Sequence, residues 1–247
     1  MAKDRLHTAA GRRALVTELM AVQGHDGRSV GMIDSLTRLC RAAVHNLEAV
    51  GVAVGLMTEG TSFGVVAGAD DHSIILEEMQ YSLGEGPGHD AFALRRPILT
   101  SDLSSRGGDQ WPGYRSAALN AGVAGVFAFP LQIGAITFGV ITVYAGHPGA
   151  LGTRELTMAL TFAELATEIL LDGDSSLELG QVHPGLETAL GHHAEIYQAQ
   201  GVVMVDLGVN LGEALVRMRA HAYSNERTLA ELAHDIMAGD VVLGAED

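Results

Sequence analysis

Between Arg115 and Arg154 the chain carries no Asp, Glu, Lys or Arg. A run of that length either crosses a bilayer as a helix or lies buried in a protein core. Its content decides between them. Pro130, Gln132, Gly134 and Gly139 interrupt it, and β-branched and aromatic residues fill much of the rest. Gly125–Ile133 and Ala135–Tyr144 each read as a buried strand, joined at Gly134. The stretch is read as the central hairpin of a sheet, with a membrane helix as the second choice.

The elements around this hairpin follow from periodicity. Apolar positions at Ile33, Leu36, Leu39, Ala43 and Leu47 predict a helix over Val30–Asn46. Val50–Met57 alternates as a strand, and Ser62–Ala67 pairs back across a turn at Thr58–Thr61. Ile74–Ser82 is a further strand candidate, amphipathic because of Glu77 and Glu78. The turn-rich run Gly84–Gly88 precedes a short helix over His89–Arg95, and Pro97–Ser101 reads as a strand. A helix is expected near Tyr114–Ala121 and another over Arg154–Leu171. This order predicts one α/β domain with a mainly antiparallel sheet.

Asp172–Pro184 reads as a linker. Behind it the pattern is purely helical: Leu186–Leu207, closed by Gly208, then Leu211–Ser224 and Leu229–Ala238, closed by Gly239. Asn210 with Glu213, and Thr228 with Glu231, form capping-box starts for the last two helices. Each is too short to hold alone, so the three must pack together or on a partner.

Composition narrows the function. The chain has 247 residues, enough for one large domain or two small ones. Its net charge of −15 repels nucleic-acid backbone at long range, which argues against a protein that coats DNA indiscriminately. Cys40 is the single cysteine, so no internal disulfide forms, and its apolar neighbours make it a core residue. The N-terminus lacks an apolar signal region, since Glu18 interrupts Leu15–Val22, and a cytoplasmic location is expected.

Signs of catalysis are weak. Gly27–Gly31 matches G-x-S-x-G around Ser29, but a polar turn stands where a nucleophile elbow needs a strand. Gly84–Gly88 lacks the spacing of a dinucleotide loop. His192 and His193 are adjacent and point apart on a helix. No catalytic residue, metal site or cofactor is expected.

Two sets of short motifs resemble known families. Leu83–Ala91, Arg96–Leu103, Trp111–Tyr114 and Phe127–Leu131, in this order, resemble a GAF sensor domain over roughly Val30–Leu171. Many relatives carry Cys where this chain has Gly88. Ile196–Met204, followed by Ala214, Met218-Arg219, Ala222, Asn225, Leu229, Ala233 and Ile236, is similar to an ANTAR module. The resemblance implies an α/β GAF-like domain with a mainly antiparallel sheet, followed by an all-α three-helix ANTAR-like module. The expected boundaries are an N-terminal segment at 1–29, the sensor at 30–171, a linker at 172–185, the helical module at 186–239 and an acidic tail at 240–247.

The ANTAR resemblance implies RNA stem-loops as partners and a role in transcription antitermination. The family usually carries Lys where this chain has Gln200. After Gly173 the basic residues are Arg217, Arg219 and Arg227, against twelve Asp and Glu. A phosphate-driven footprint is therefore weak, and looped bases are the expected target. The RNA-contact candidates are Gln200 for a base edge, Gly201 for close approach, and Arg219 for phosphate or stacking. Asn225, Arg227 and Thr228 stand at the start of the last helix, where free N–H groups attract an anion. Each has a bland reading beside it: Gly201 for helix packing, Arg219 for a surface ion pair, Asn225 and Thr228 for capping. In the sensor, Tyr81, Trp111, Tyr114, Phe127 and Phe129 are candidates for a small-molecule pocket or for ordinary core, and no ligand is assigned. A homodimer is expected. Two rival classes stay open: a helical module that binds protein, and a helix-turn-helix variant that binds DNA, although Leu229–Ala238 has no basic residue to place in a groove.

Overall fold

The computed structural model describes residues 31–57, 63–105, 110–174, 194–225 and 227–244, with Gly11 and Ala14. The rest of the N-terminal segment at 1–29, with Ser29, and the His192–His193 pair lie outside these residues, as does most of the linker. The described elements, in order, are α1 (Met32–Leu47), β1 (Gly51–Met57), β2 (Phe63–Gly68), α2 (Asp71–Leu83), α3 (Pro87–Leu94) and β3 (Ile98–Thr100). There follow α4 (Pro112–Asn120), β4 (Gly125–Ile133), β5 (Ile136–Ala145), α5 (Thr153–Asp174), α6 (Ala194–Leu207), α7 (Leu211–Ser224) and α8 (Leu229–Ala238).

The uncharged run folds as the β4–β5 hairpin, with Phe127 opposite Val143 and Phe129 opposite Ile141. It forms the middle of an antiparallel sheet ordered β2-β1-β5-β4-β3. No single helix among the described residues is long and apolar enough to cross a membrane.

Period-two alternation assigns each strand residue to a face. Val52, Val54, Phe127, Phe129, Leu131, Ile141 and Val143 pack under α1 and α5. Cys40 is buried in that same layer, as expected of a small core residue, and burial drives its thiol pKa far up. Ala53, Val126, Ala128, Val140 and Tyr144 face the opposite way, toward α2, α3 and α4. Apolar packing on this second face continues without a break into α6, α7 and α8.

Ile74–Ser82, expected as a strand, is the greater part of helix α2. Asp70 caps it by accepting from Ser73 N at 2.8 Å, and Gly84 ends it in the left-handed region at φ 68°. The helical face was hidden because its buried side carries polar residues. Ser73, Glu77 and Gln80 point inward with Leu76 and Tyr81.

The last three helices pack as a compact module. Asn210 accepts from Glu213 N at 2.9 Å to start α7. Thr228 and Glu231 form the full reciprocal box at the start of α8. Such caps replace hydrogen bonds that a helix start otherwise lacks and contribute about 1 kcal/mol each.

Candidate nucleic-acid interface

The six residues expected to meet RNA lie in this module in distinct environments. Gln200 is 2% exposed, and its Nε2 donates to the Leu211 carbonyl at 2.6 Å. It ties α6 to the first turn of α7 and is not available to a base edge. This corrects the expectation drawn from sequence: on an apolar helix, the amide found its partner inside the module. Gly201, the next residue, is half-buried, and a Cβ built there meets no atom within 4 Å. Its bland reading, tight packing within the chain, is therefore not met among the described residues.

Asn225 donates through Nδ2 to the His221 carbonyl at 2.8 Å, an α7 C-terminal contact. Arg227 pairs with Asp235 of α8 at 2.5 Å. That pairing holds the Asp235 carboxyl below the usual carboxylate range. Thr228 N donates to Glu231 Oε2 at 2.9 Å, and Glu231 N donates to Thr228 Oγ1 at 3.2 Å. The α8 N-terminus is thus partly closed by its own side chains, which leaves fewer N–H groups for an anion than the sequence implied.

Arg219 has left the module's surface. Its Nη2 donates to the Tyr81 carbonyl at the end of α2, 2.7 Å away, and its guanidinium carbon stands 5.3 Å from the Tyr81 ring centroid. Its Nε is buried without a hydrogen-bond partner. Desolvation lowers the arginine's pKa, partly offset by Tyr81. Gly84 supplies the seat, for a Cβ there would stand 2.6 Å from Arg219 Nη1. On the same seam, burial raises the Tyr81 phenol pKa, and the neighbouring Tyr197 of α6 adds to the rise.

A cavity of about 840 Å³ opens beside this contact, between α2 and α4 on one side and α7 and α8 on the other. Ile75, Met79, Leu83, Tyr223 and Leu229 are among its lining residues. Its size falls within the range of ligand pockets, and domain seams are common places for them.

The aromatic residues proposed for a sensor pocket divide between the two faces of the sheet. Tyr81, Trp111 and Tyr114 pack on the α2–α4 side, while Phe127 and Phe129 lie under α1 and α5. All five are buried, and the two groups, on opposite faces of the sheet, do not line one cavity. The alternation of β4 carried this signal, since Phe127 and Phe129 must face away from Val126 and Ala128. Trp111 and Tyr114 meet edge to face, with ring centroids 6.4 Å apart.

The sequence reading missed a buried polar cluster on the α2 side. Tyr144 Oη donates to Glu77 Oε2, to which Gln80 Nε2 also donates at 3.1 Å. Gly88 N donates to Gln80 Oε1 at 2.7 Å, so the α3 start is fastened to α2. His89 Nε2 donates to the Gln80 carbonyl at 3.0 Å. Burial pushes the Glu77 carboxyl up to about 7, against the lowering effect of Tyr144, Thr142 and Gln80. Burial, with the nearby Arg219 charge, pulls His89 down to about 4. No group of three or more metal-ligating side chains occurs among the described residues.

Comparison with known proteins places both halves. The family model for the GAF domain matches residues 32–170, and the model for the ANTAR domain matches residues 185–237. Two solved structures share the fold of the first half. One is the GAF domain from an Acinetobacter phosphoenolpyruvate-protein phosphotransferase, at 10% identity and TM-score 0.50, covering 68% of this chain and 96% of that one. The other is the GAF domain of a phosphoenolpyruvate-protein phosphotransferase from Coxiella burnetii, at 12% identity and TM-score 0.50, covering 69% and 97%. None of the curated proteins compared matches the chain.

Proposed function

Since the chain belongs to the GAF-domain family and carries an ANTAR domain behind its GAF domain, we propose that it is a signal-responsive transcription antitermination regulator that grips RNA stem-loops. Both domains are regulatory, and this reading assigns no catalytic step to either. The observation that carries it is the ANTAR match over a folded module of three packed helices, placed directly behind a sensor fold.

The chemistry available to the module favours loops over duplex. With three arginines against an acidic background, phosphate neutralisation contributes little. Unstacked loop bases are read by hydrogen bonds, stacking and close approach, none of which needs a basic face. Gly201 leaves the α6 surface open to such an approach. Arg219, Asn225, Arg227 and Thr228 are the proposed polar contacts, and Gln200 serves them by fixing α6 against α7. A homodimer would present two modules together and gain affinity for paired stem-loops through avidity. The sensor's input is a small molecule or another signal that favours one arrangement of the chain over another.

Binding of the full chain to a pool of stem-loops and to duplex DNA, across a salt series, tests this. Preference for stem-loops is expected, with log affinity falling against log salt with a slope no steeper than about −3, roughly one per arginine. Absence of binding to any stem-loop overturns the reading. It would favour a helical module that contacts another protein, a view supported by Arg217 and Arg227 already pairing with acids.

A further inference from the structure

Arg217 pairs with Glu213 and Arg227 with Asp235, whereas Arg219 meets a neutral carbonyl and an aromatic ring. Arg219 therefore carries the module's least compensated positive charge among the described residues, and it is pressed into the sensor. In this arrangement the cation best suited to phosphate or base stacking is half-buried and engaged by the sensor.

The contact is built to be opened. Arg219 Nε is buried without a partner, and a void of about 840 Å³ adjoins it. An unmet buried donor and missing packing both weaken a docked state. Gly84 is shaped to admit the guanidinium, since any side chain there would collide with it and its φ of 68° already disfavours one.

The other face of the same helix reads the sensor's interior. Gln80, one residue before Tyr81, holds the α3 start through Gly88 and contacts Tyr144 and Glu77 on the sheet side. The Gln80 carbonyl takes His89, and the Tyr81 carbonyl takes Arg219. A shift of the α2 C-terminal turn driven from the sensor core must therefore disturb the Arg219 contact.

We infer that the Tyr81–Arg219 contact is an autoinhibitory latch: it docks the helical module on α2, withholds Arg219 from RNA, and is released when the sensor displaces the α2 C-terminal turn. The inference rests on the stem-loop reading above. It names the regulation of that same site. RNA and the sensor compete for one guanidinium, so each weakens the other's hold.

The test uses the full chain in two forms. Met79→Gln places an uncharged polar group on the α2 side of the seam, where a carboxylate would instead attract Arg219. Ile75→Gln, at a residue 56% exposed, repeats the perturbation where the sensor's own fold is least at risk. For the closed form, Gly113→Cys and Tyr223→Cys are joined by a short bis-maleimide. A Cβ at Gly113 would stand 3.8 Å from the Tyr223 ring, and the native Cys40 is buried away from the reagent. The probe is a pool of RNA stem-loops with randomised loops, and hydrogen exchange at residues 81–84 reports release.

The Gln variants are expected to bind the pool about tenfold more tightly than the parent, as about 1.4 kcal/mol of lost docking gives. The cross-linked form is expected to bind correspondingly less than the same protein before cross-linking. Equal RNA affinity in locked and released forms overturns the latch and leaves the stem-loop reading standing. No binding by any form, with exchange confirming release, overturns the stem-loop reading and the latch with it.

Discussion

Tyr144 Oη donates to Glu77 Oε2 across the buried face of the sheet, which joins the last strand to helix α2 through a carboxyl group that water does not reach. One of the Glu77 oxygens, Oε1, has no hydrogen-bond partner. Ionising this group in place is costly, and its pKa of about 7 expresses that cost.

Glu77 therefore makes stability depend on pH with a defined sign. Its folded pKa is raised, so between about 4.5 and about 7 the folded chain holds more protons than the unfolded one. The stabilising contribution is complete below 4.5 and is lost as pH rises through 7. Glu77→Gln keeps a hydrogen-bonding group and removes the charge. At pH 8 it is expected to raise unfolding stability by roughly 2–3 kcal/mol, from the size of the shift. Urea titrations at pH 5 and pH 8 check this, and an equal effect at both would refute the assignment.

His89 acts in the opposite direction. Its folded pKa is lowered to about 4 from 6.5, so its contribution is complete above 6.5 and is lost as pH falls toward 4. The two slopes oppose each other between 4.5 and 6.5, and the parent chain is expected to change little there. His89→Phe should unmask the Glu77 slope. Removing the neighbouring charge with Arg219→Met should raise the His89 pKa, read by proton NMR titration of the ring.

Gln200→Ala is expected to destabilise the chain by about 1–3 kcal/mol, because it removes a buried amide and its bond to the Leu211 carbonyl. Urea denaturation measures the loss. RNA affinity per folded molecule should hold near the parent's value. A specific loss of RNA affinity with stability intact would restore Gln200 as a base-contacting residue.

Thr228→Ala removes the acceptor of the α8 capping box and should lower stability by about 1 kcal/mol. Thr228→Ser keeps the hydroxyl and should keep the stability. If both variants lose stem-loop binding per folded molecule in equal measure, Thr228 contacts RNA through more than its hydroxyl.

Much of the architecture was legible because it rests on local rules. The central hairpin followed from an uncharged run broken at Gly134, and α7 and α8 followed from their capping residues. Helix α2 was missed because Glu77 was read with Glu78 as the polar side of an amphipathic strand. Its partner Tyr144, far along the chain, helps to make its burial tolerable. The site failed for the same reason. Arg219 and Tyr81 stand 138 residues apart, and nothing local to either announces the contact. Gln200 was read as a surface group because its partner is a main-chain carbonyl, which no side-chain pattern reveals.

The strand order has a consequence for how the chain is made. Strand β5 lies between β1 and β4, yet it ends at Ala145, more than halfway along the chain. During synthesis the first hairpin leaves the ribosome with one edge of β1 bare, and that edge stays bare until β5 emerges. Delay in translating the β4–β5 segment therefore lengthens the time in which the nascent chain can pair with the wrong strand.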